Sequence, residues 1–252
     1  DANNINPLYG FFVARAGLGA SESMRSKLAE YNDPRLSRAF ITKQGASGKE
    51  QAPGTDDNAV YAPNGTPEQG TSKYGTSLFM YSISAPTLLL SYHELKFLEA
   101  EALCRLERDA KSALKDAVVA GLLNAENSFT ISRKELGKTL INAASSITEA
   151  EAESYFDNTI EAKYTAEPLK TTMIQKYFAL WGASGEATES YNDVRRMKGL
   201  GENFIELKNP NSFPLRCPYG NSDTTTNAEV KAAYGNGQYV YSENVWWAGG
   251  SR

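Results

Sequence analysis

One histidine, two cysteines and no excess of basic residues set the first limits on this 252-residue chain. With His93 alone, no histidine pair exists to hold a metal. A Ser-His-Asp relay would rest on a residue with no partner motif beside it. His93 reads instead as a surface histidine in the first turn of a helix. Cys104 and Cys217 share no metal-type spacing and form no disulfide framework, so they leave the redox compartment open. Cys104, beside Leu103 in a helical stretch, reads as an inert buried thiol, and Arg216 is the one cation adjacent to Cys217. Lys and Arg number 26 against 30 Asp and Glu, a net charge of −4 with pI ≈ 5.3. That balance argues against nucleic acid, whose phosphates require clustered cations. No apolar run approaches the ~20 residues of a membrane-spanning helix; the stretch around Leu88–Leu90 is interrupted by Ser91, His93 and Glu94.

Other signatures are missing too. There is no P-loop and no dinucleotide fingerprint. Gly17-Leu18-Gly19 and Gly182-Ala183-Ser184-Gly185 lack the preceding strand that a phosphate cradle requires. Asp56-Asp57-Asn58 does not have the spacing of a calcium loop and reads as a solvated turn; calcium there would need ligands from elsewhere in the fold. No metal ligand set and no cofactor is therefore expected. The chain begins at Asp1 without methionine, basic n-region or apolar h-region, which places any leader outside this sequence or already removed.

What is present falls into three textures. Residues 1–86 read as mostly irregular, apart from a short helix near 21–31 capped by Ser21. The run from Gly45 to Ser77 is rich in Gly, Ser, Thr, Pro, Asn and Asp with no period; loops beyond ~12–15 residues are functional or disordered. Residues 87–200 read as helical. Ser91–Glu94, Ser132–Glu135 and Thr148–Glu151 each form a capping box, with Leu90/Leu95, Ile131/Leu136 and Ile147 as hydrophobic staples. The first helix, about 92–107, carries Leu95, Leu98, Ala102 and Leu106 on one face, which makes that face the expected core side. A second, about 110–125, is capped by Asp109 and carries Ala110, Ala113, Leu114, Ala117 and Gly121 on one stripe. Further helices are expected near 133–144 and 149–164, and from Pro168, a favoured first position. Small residues let the first two approach closely, and that pair spans about 34 residues, the tetratricopeptide period. Residues 201–252 return to loops, with short strands expected in 238–247, where adjacent Trp246 and Trp247 would point to opposite sides and put at least one in the core. The expected fold is mainly α: tetratricopeptide-like hairpins packed against a long irregular segment. Arrays of this kind need about three repeats to close a core, and only one clean hairpin and one looser one are legible.

The chemistry follows from side chains more than motifs. Glu94, Glu99 and Glu101 are the carboxylates a glycosidase reading would use, but their spacing does not put them on one helical face. Tyr61 and Tyr74 stand in the polar loop with Asn58, Asn64 and Thr66. Aromatic faces beside amides and hydroxyls suit sugar rings; the competing reading has both tyrosines anchoring the loop onto the helices. Residues 174–197, IQKYFALWGASGEATESYNDVRRM, raise the question of an anion site at Arg195-Arg196. Ile174, Tyr177, Phe178 and Trp181 fall on a buried stripe, Gly182 ends the helix, Ser184 caps the next, and the arginines sit in the last turn before Gly199, where cations suit the helix dipole. The stretch reads as architecture.

NDPRL (32–36), LSYHELKFLEAEAL (90–103), IQKYFALWG (174–182), Arg195-Arg196, RCPYGNSDTTTN (216–227) and VWW (245–247) together resemble the SusD/RagB family of nutrient-binding surface lipoproteins, in family order. Glu186-Ala187 followed by Thr188, and Arg216-Cys217-Pro218-Tyr219, depart from the usual pattern. Family members are about twice as long, so the resemblance identifies residues 1–252 as the C-terminal part of one SusD-like domain. It implies non-catalytic glycan or oligosaccharide binding at the outer membrane beside a TonB-dependent transporter, with a lipid anchor outside this chain. The alternatives are a protein-interaction scaffold and a glycoside hydrolase. The expected ligand contacts are Tyr61, Tyr74, Asn58 and Asn64.

Overall fold

The computed structural model describes residues 4–15, 18–44, 49–51, 60–65, 73–141, 143–208 and 212–250. Its helices start where side chains capture orphan amides. The Ser21 hydroxyl accepts the Met24 amide at 3.3 Å and opens α2 (Glu22–Glu30). Ser91 accepts from Glu94 at 3.1 Å and opens α4 (Tyr92–Arg105). Thr148 accepts from Glu151 at 3.2 Å and opens α6 (Glu149–Tyr155). Asp109 accepts from Lys111 at 3.0 Å at the head of α5 (Lys111–Leu136). Each bond satisfies a donor that a helix start leaves without a partner.

The box at Ser132–Glu135 starts nothing, which corrects the expected helix at 133–144. α5 runs through it for 26 residues. Ser132 is fully buried, and its hydroxyl reaches the carbonyls of Leu78 at 2.6 Å and Ser128 at 2.9 Å. Leu122, Ala125 and Phe129 carry the buried stripe straight into that position, and burial outweighs a local capping signal. Gly137, at φ +50°, ends the helix, and β4 (Leu140–Ile141) follows a short turn.

α8 (Pro168–Leu180) packs across α4 and α5. Gly121 permits the close approach: a Cβ there would stand 2.9 Å from Ala179 Cβ. Phe97, Leu114, Phe129, Phe156 and Phe178 form the middle of the core, all essentially inaccessible. Residues 149–166 are continuously helical, with a π-helical turn at Phe156–Ile160 between α6 and α7 (Glu161–Ala166).

The face expected to be the core side of α4 is its outer side. Leu95, Leu98 and Leu106 are 50%, 42% and 63% exposed, while His93, Glu94, Phe97, Ala100 and Glu101 are buried. The helix is apolar on two sides, so periodicity does not choose between them. The inner side is disguised by His93, Glu94 and Glu101, which are buried with charged partners; His93 is therefore not a surface residue.

The first 86 residues hold more order than their texture indicates. α1 (Pro7–Arg15) and α3 (Leu36–Ala39) join α2. A four-stranded sheet runs β3-β1-β2-β4, with β1 Phe40–Gln44, β2 Lys49–Gln51 and β3 Thr76–Ser77. β1 pairs antiparallel with β3 through Phe40↔Ser77 and with β2 through Thr42↔Gln51; β2 pairs parallel with β4 through Glu50↔Leu140. Strands of two to five residues carry too little alternation to be read from sequence.

The chain divides into two compact units, 1–208 and 209–252. In the second, Asn221–Thr226 forms α10 and Ala228–Tyr234 forms α11. Tyr219 stacks on Tyr234 at 4.3 Å between centroids, and the Leu215 amide donates to Val240 O at 2.8 Å. The strands expected at 238–247 are absent from the described residues there, which form turns and a short helical turn, Trp246–Ala248. Trp246 is 75% exposed; the Trp247 side chain lies outside the described residues.

Candidate functional site

The described ends of the long polar loop are sewn to the start of α2. Ala62 N donates to Ala20 O, Ala20 N to Gly75 O and Gly75 N to Val60 O, at 2.8 to 2.9 Å. This brings Tyr61, Asn64 and Tyr74 together; Asn58, with Asp56, Asp57 and Thr66, lies outside the described residues. Tyr61 is 3% exposed. Its ring meets Phe40 edge-on at 5.2 Å, carries the Arg25 guanidinium at 5.1 Å and is backed by Gly75, where a Cβ would approach within 2.7 Å. Tyr74 is 8% exposed, with the Lys73 ammonium 5.2 Å from its centroid. Asn64 Oδ1 accepts the Ser21 hydroxyl at 2.8 Å. The tyrosine faces are thus turned onto protein, the geometry of loop anchors.

A cleft of about 800 Å³ opens elsewhere, between the head of α4, one side of α5 and the first turns of α6. Tyr92, 60% exposed, stands at one end with Lys96 5.8 Å from its ring centroid. Asn124 and Asn127 of α5, and Glu149 and Glu153 of α6, line it. Each amide offers donors and an acceptor; an accessible ring, amides and carboxylates together match the needs of a polyhydroxylated ligand. Glu126 closes the floor as structure, accepting the Ile147 amide at 2.9 Å and pairing with Arg133. Three helices between residues 92 and 153 contribute the lining, and no sequence motif joins them. The only local signal is the capping box that places Ser91 and Tyr92.

The stretch 174–197 is architecture at each point. Gly182, at φ +79°, ends α8. α9 (Ala187–Gly199) has Glu186, not Ser184, at its N-cap, and Gly201, at φ +76°, rather than Gly199, follows its end. Arg196 binds Glu101 at 2.8 Å and Asp193 at 2.9 Å, and Glu101 also holds Arg105 at 2.7 Å. Those arginines keep the Glu101 carboxyl below its usual range against the opposing effect of burial.

Glu186 accepts the Ser91 amide and lies 3.6 Å from His93 Nε2. Burial, then the hydrogen bond and charge of Glu186, push the Glu94 carboxyl from 4.5 up to about 7. Burial depresses His93. Between pH 4.5 and 7 the folded chain holds a proton on Glu94 that the unfolded chain releases, so this contribution is full below 4.5 and is lost as pH rises through about 7. Glu94→Gln mimics the protonated acid. In urea unfolding it is expected to exceed the parent by on the order of 1–2 kcal/mol at pH 8, with the gap closing as the pH falls below 4.5. His93 acts in the opposite sense, its contribution falling as pH drops below 6.5, but it is common to both proteins and cancels. A gap that does not change with pH would refute the assignment.

Among the described residues, no group of three or more His, Cys, Asp or Glu side chains could hold a metal ion, and no helix is long and apolar enough to cross a membrane.

A family model described as SusD-like, starch-binding and associating with the outer membrane matches residues 1–219. The chain is 66% identical to a SusD/RagB family protein from Bacteroides thetaiotaomicron of known crystal structure, with a TM-score of 0.89 over all of this chain and 54% of that one. It is also similar to a Bacteroides vulgatus outer membrane protein whose description connects it with nutrient binding, at 21% identity and a TM-score of 0.60, covering 89% of this chain and 50% of that one. The second likeness is one of fold. The chain thus spans about half the length of both. No curated protein matches.

Proposed function

We infer a carbohydrate-capture function from one premise: the chain belongs to the SusD/RagB family. On this reading it is part of a non-catalytic glycan- or oligosaccharide-binding protein of the outer membrane, working beside a TonB-dependent transporter and held by a lipid anchor outside this chain. The observation that supports a ligand contact in this part is the α4–α5–α6 cleft, with Tyr92 beside Asn124 and Asn127. The α4 carboxylates that the hydrolase reading named stand outside the cleft, whose own carboxylates are Asp116, Glu126, Glu149 and Glu153. Glu101 is bound by two arginines, Glu99 pairs with Lys96, and neither they nor Glu94 line the cleft.

Calorimetry with a panel of oligosaccharides, malto-oligosaccharides first, tests this. Tyr92→Ala and Asn127→Ala are each expected to weaken binding about tenfold, the loss of one good contact, with unchanged thermal unfolding. Tyr61→Ala, Tyr74→Ala and Asn64→Ala are measured beside them. Tyr61→Ala is expected to lose about 3–5 kcal/mol of stability, as a buried ring does, while its folded fraction keeps the parent's affinity. Loss of affinity in the Tyr61, Tyr74 or Asn64 variants with none in Tyr92→Ala would return the site to the loop; no binding by any sugar would defeat the reading for this part of the protein.

A further inference from the structure

We propose that Glu94 and Glu186 form a proton-operated latch, which makes pH set how often the Tyr92 end of the α4–α5–α6 cleft opens. As regulation of that cleft it rests on the reading of the cleft as a ligand site. The latch is made of contacts around one helical turn. Glu186, at the N-cap of α9, accepts the Ser91 amide. The Ser91 hydroxyl accepts the Glu94 amide at 3.1 Å. The Glu94 carboxyl lies within hydrogen-bonding reach of the Glu186 carboxyl. Ionised carboxylates carry acceptors and no donor, so this last contact bonds only while one of the two holds a proton. Glu94, Glu186 and the adjacent His93 are all buried. Glu186 Oε2 lies 3.6 Å from His93 Nε2, and no N–H or hydroxyl group answers either atom among the described residues.

The surrounding charges do not replace the proton. Lys176 of α8 faces Glu94, but Asp193 of α9 holds it at 2.7 Å. Glu189 of α9 adds negative charge. Arg35 acts on His93 and, with burial, opposes its protonation. α5 brings Lys115, Asp116 and Glu126 to the cleft that His93 also lines. Loss of the proton therefore leaves two negative charges facing each other away from water. The repulsion is relieved when Glu186 releases the Ser91 amide or Glu94 swings out, and either frees the first turn of α4. Ser91, Tyr92 and His93 of that turn line the cleft. Glu94 and Glu186 are thus positioning residues for the Tyr92 wall.

Amide exchange on the intact protein, corrected for intrinsic rates, reads the latch without any ligand. The quantity is the protection of Ser91, Glu94 and Leu95 in Glu94→Gln, whose amide can donate to Glu186 at any pH, divided by that in the parent. It is expected to rise about tenfold from about pH 5.5 to about pH 7.5, because the closed latch holds a proton that the open one releases. The titration of His93 is common to both proteins and cancels. The head of α6, where Glu151 and Ala152 bond back to Thr148, should show no such rise. A ratio at Ser91, Glu94 and Leu95 that does not change with pH overturns the proposal, even where the urea gap does change, since the pair then acts on global unfolding alone. An equal rise at the α6 head overturns it too. If Glu94→Gln does not fold, Glu186→Gln serves: it keeps an acceptor for the Ser91 amide and is expected to give the same rise, and a flat ratio there overturns the latch. Because no ligand enters, failure here strikes the latch and leaves the ligand reading standing, whereas a cleft that binds no sugar strikes that reading alone.

Discussion

Arg35→Ala is expected to lower the free energy of unfolding by about 3–5 kcal/mol, the cost of stranding one partner of a buried ion pair. Arg35 is 2% exposed. Its Nε meets Asp33 Oδ1 at 2.8 Å and its Nη2 meets Oδ2 at 2.6 Å, a two-pronged grip that only a guanidinium makes. Its Nη1 donates to Phe178 O at 2.7 Å, a carbonyl at the end of α8 that also accepts the Trp181 amide at 3.3 Å. Without the Arg35 side chain, Asp33 keeps only neutral donors, the residue-35 amide at 2.9 Å and the Tyr155 hydroxyl at 3.3 Å. Urea unfolding followed by tryptophan fluorescence measures the loss. Arg35→Lys restores charge but not the fork, and is expected to recover less than half. An Arg35→Ala variant within about 1 kcal/mol of the parent would mean that water or rearrangement neutralises Asp33.

That pair also explains why NDPRL stands out in the sequence while its role does not. Asp33-Pro34 is legible as a turn because proline restricts the residue before it. That Arg35 spans to Phe178 is not legible, because nothing local links positions so distant. The same division runs through the fold. Ser21, Ser91 and Thr148 are legible as caps because a cap bonds two or three residues away. Ser132 has the same local pattern and misleads, because burial against Leu78 decides its fate. The α4 stripe is visible but points the wrong way, since both sides of the helix are apolar. The sheet escapes because its partners are short and far apart along the chain. The family is legible from an ordered set of segments. The cleft is not, because Tyr92, Asn124 and Glu153 carry no shared spacing. Tyr61 and Tyr74 attract attention as aromatics in a polar loop, and their placement shows the competing anchor geometry.

Gly185→Ala is expected to cost about 2–5 kcal/mol, combining a left-handed backbone penalty of ~1–2 with an overpacking term of ~1–3. Gly185 lies at φ +96°, and a Cβ there would stand 2.1 Å from Leu88 O. Unlike a flexible side chain, that carbonyl has little room to yield, because the Leu88 amide donates to Ser184 O at 2.6 Å. Gly199→Ala is the counterpart: it sits in α9 with nothing within 4 Å of its Cβ position. There alanine should stabilise by up to about 1 kcal/mol through helix propensity. Gly185 lies just before α9 and Gly199 is its last residue, so equal effects in urea unfolding would refute the argument. A further consequence separates this from a generic loss of packing. The 182–186 turn holds the segment before α4 through Leu88 and through Glu186 on the Ser91 amide, and Leu88, Ser91 and Tyr92 line the cleft. Gly185→Ala should therefore accelerate amide exchange at Ser91 and through the first turn of α4 more than at the middle of α5. The Gly-Ala-Ser-Gly break is then a splint: it positions the head of the helix on which the proposed ligand contact depends.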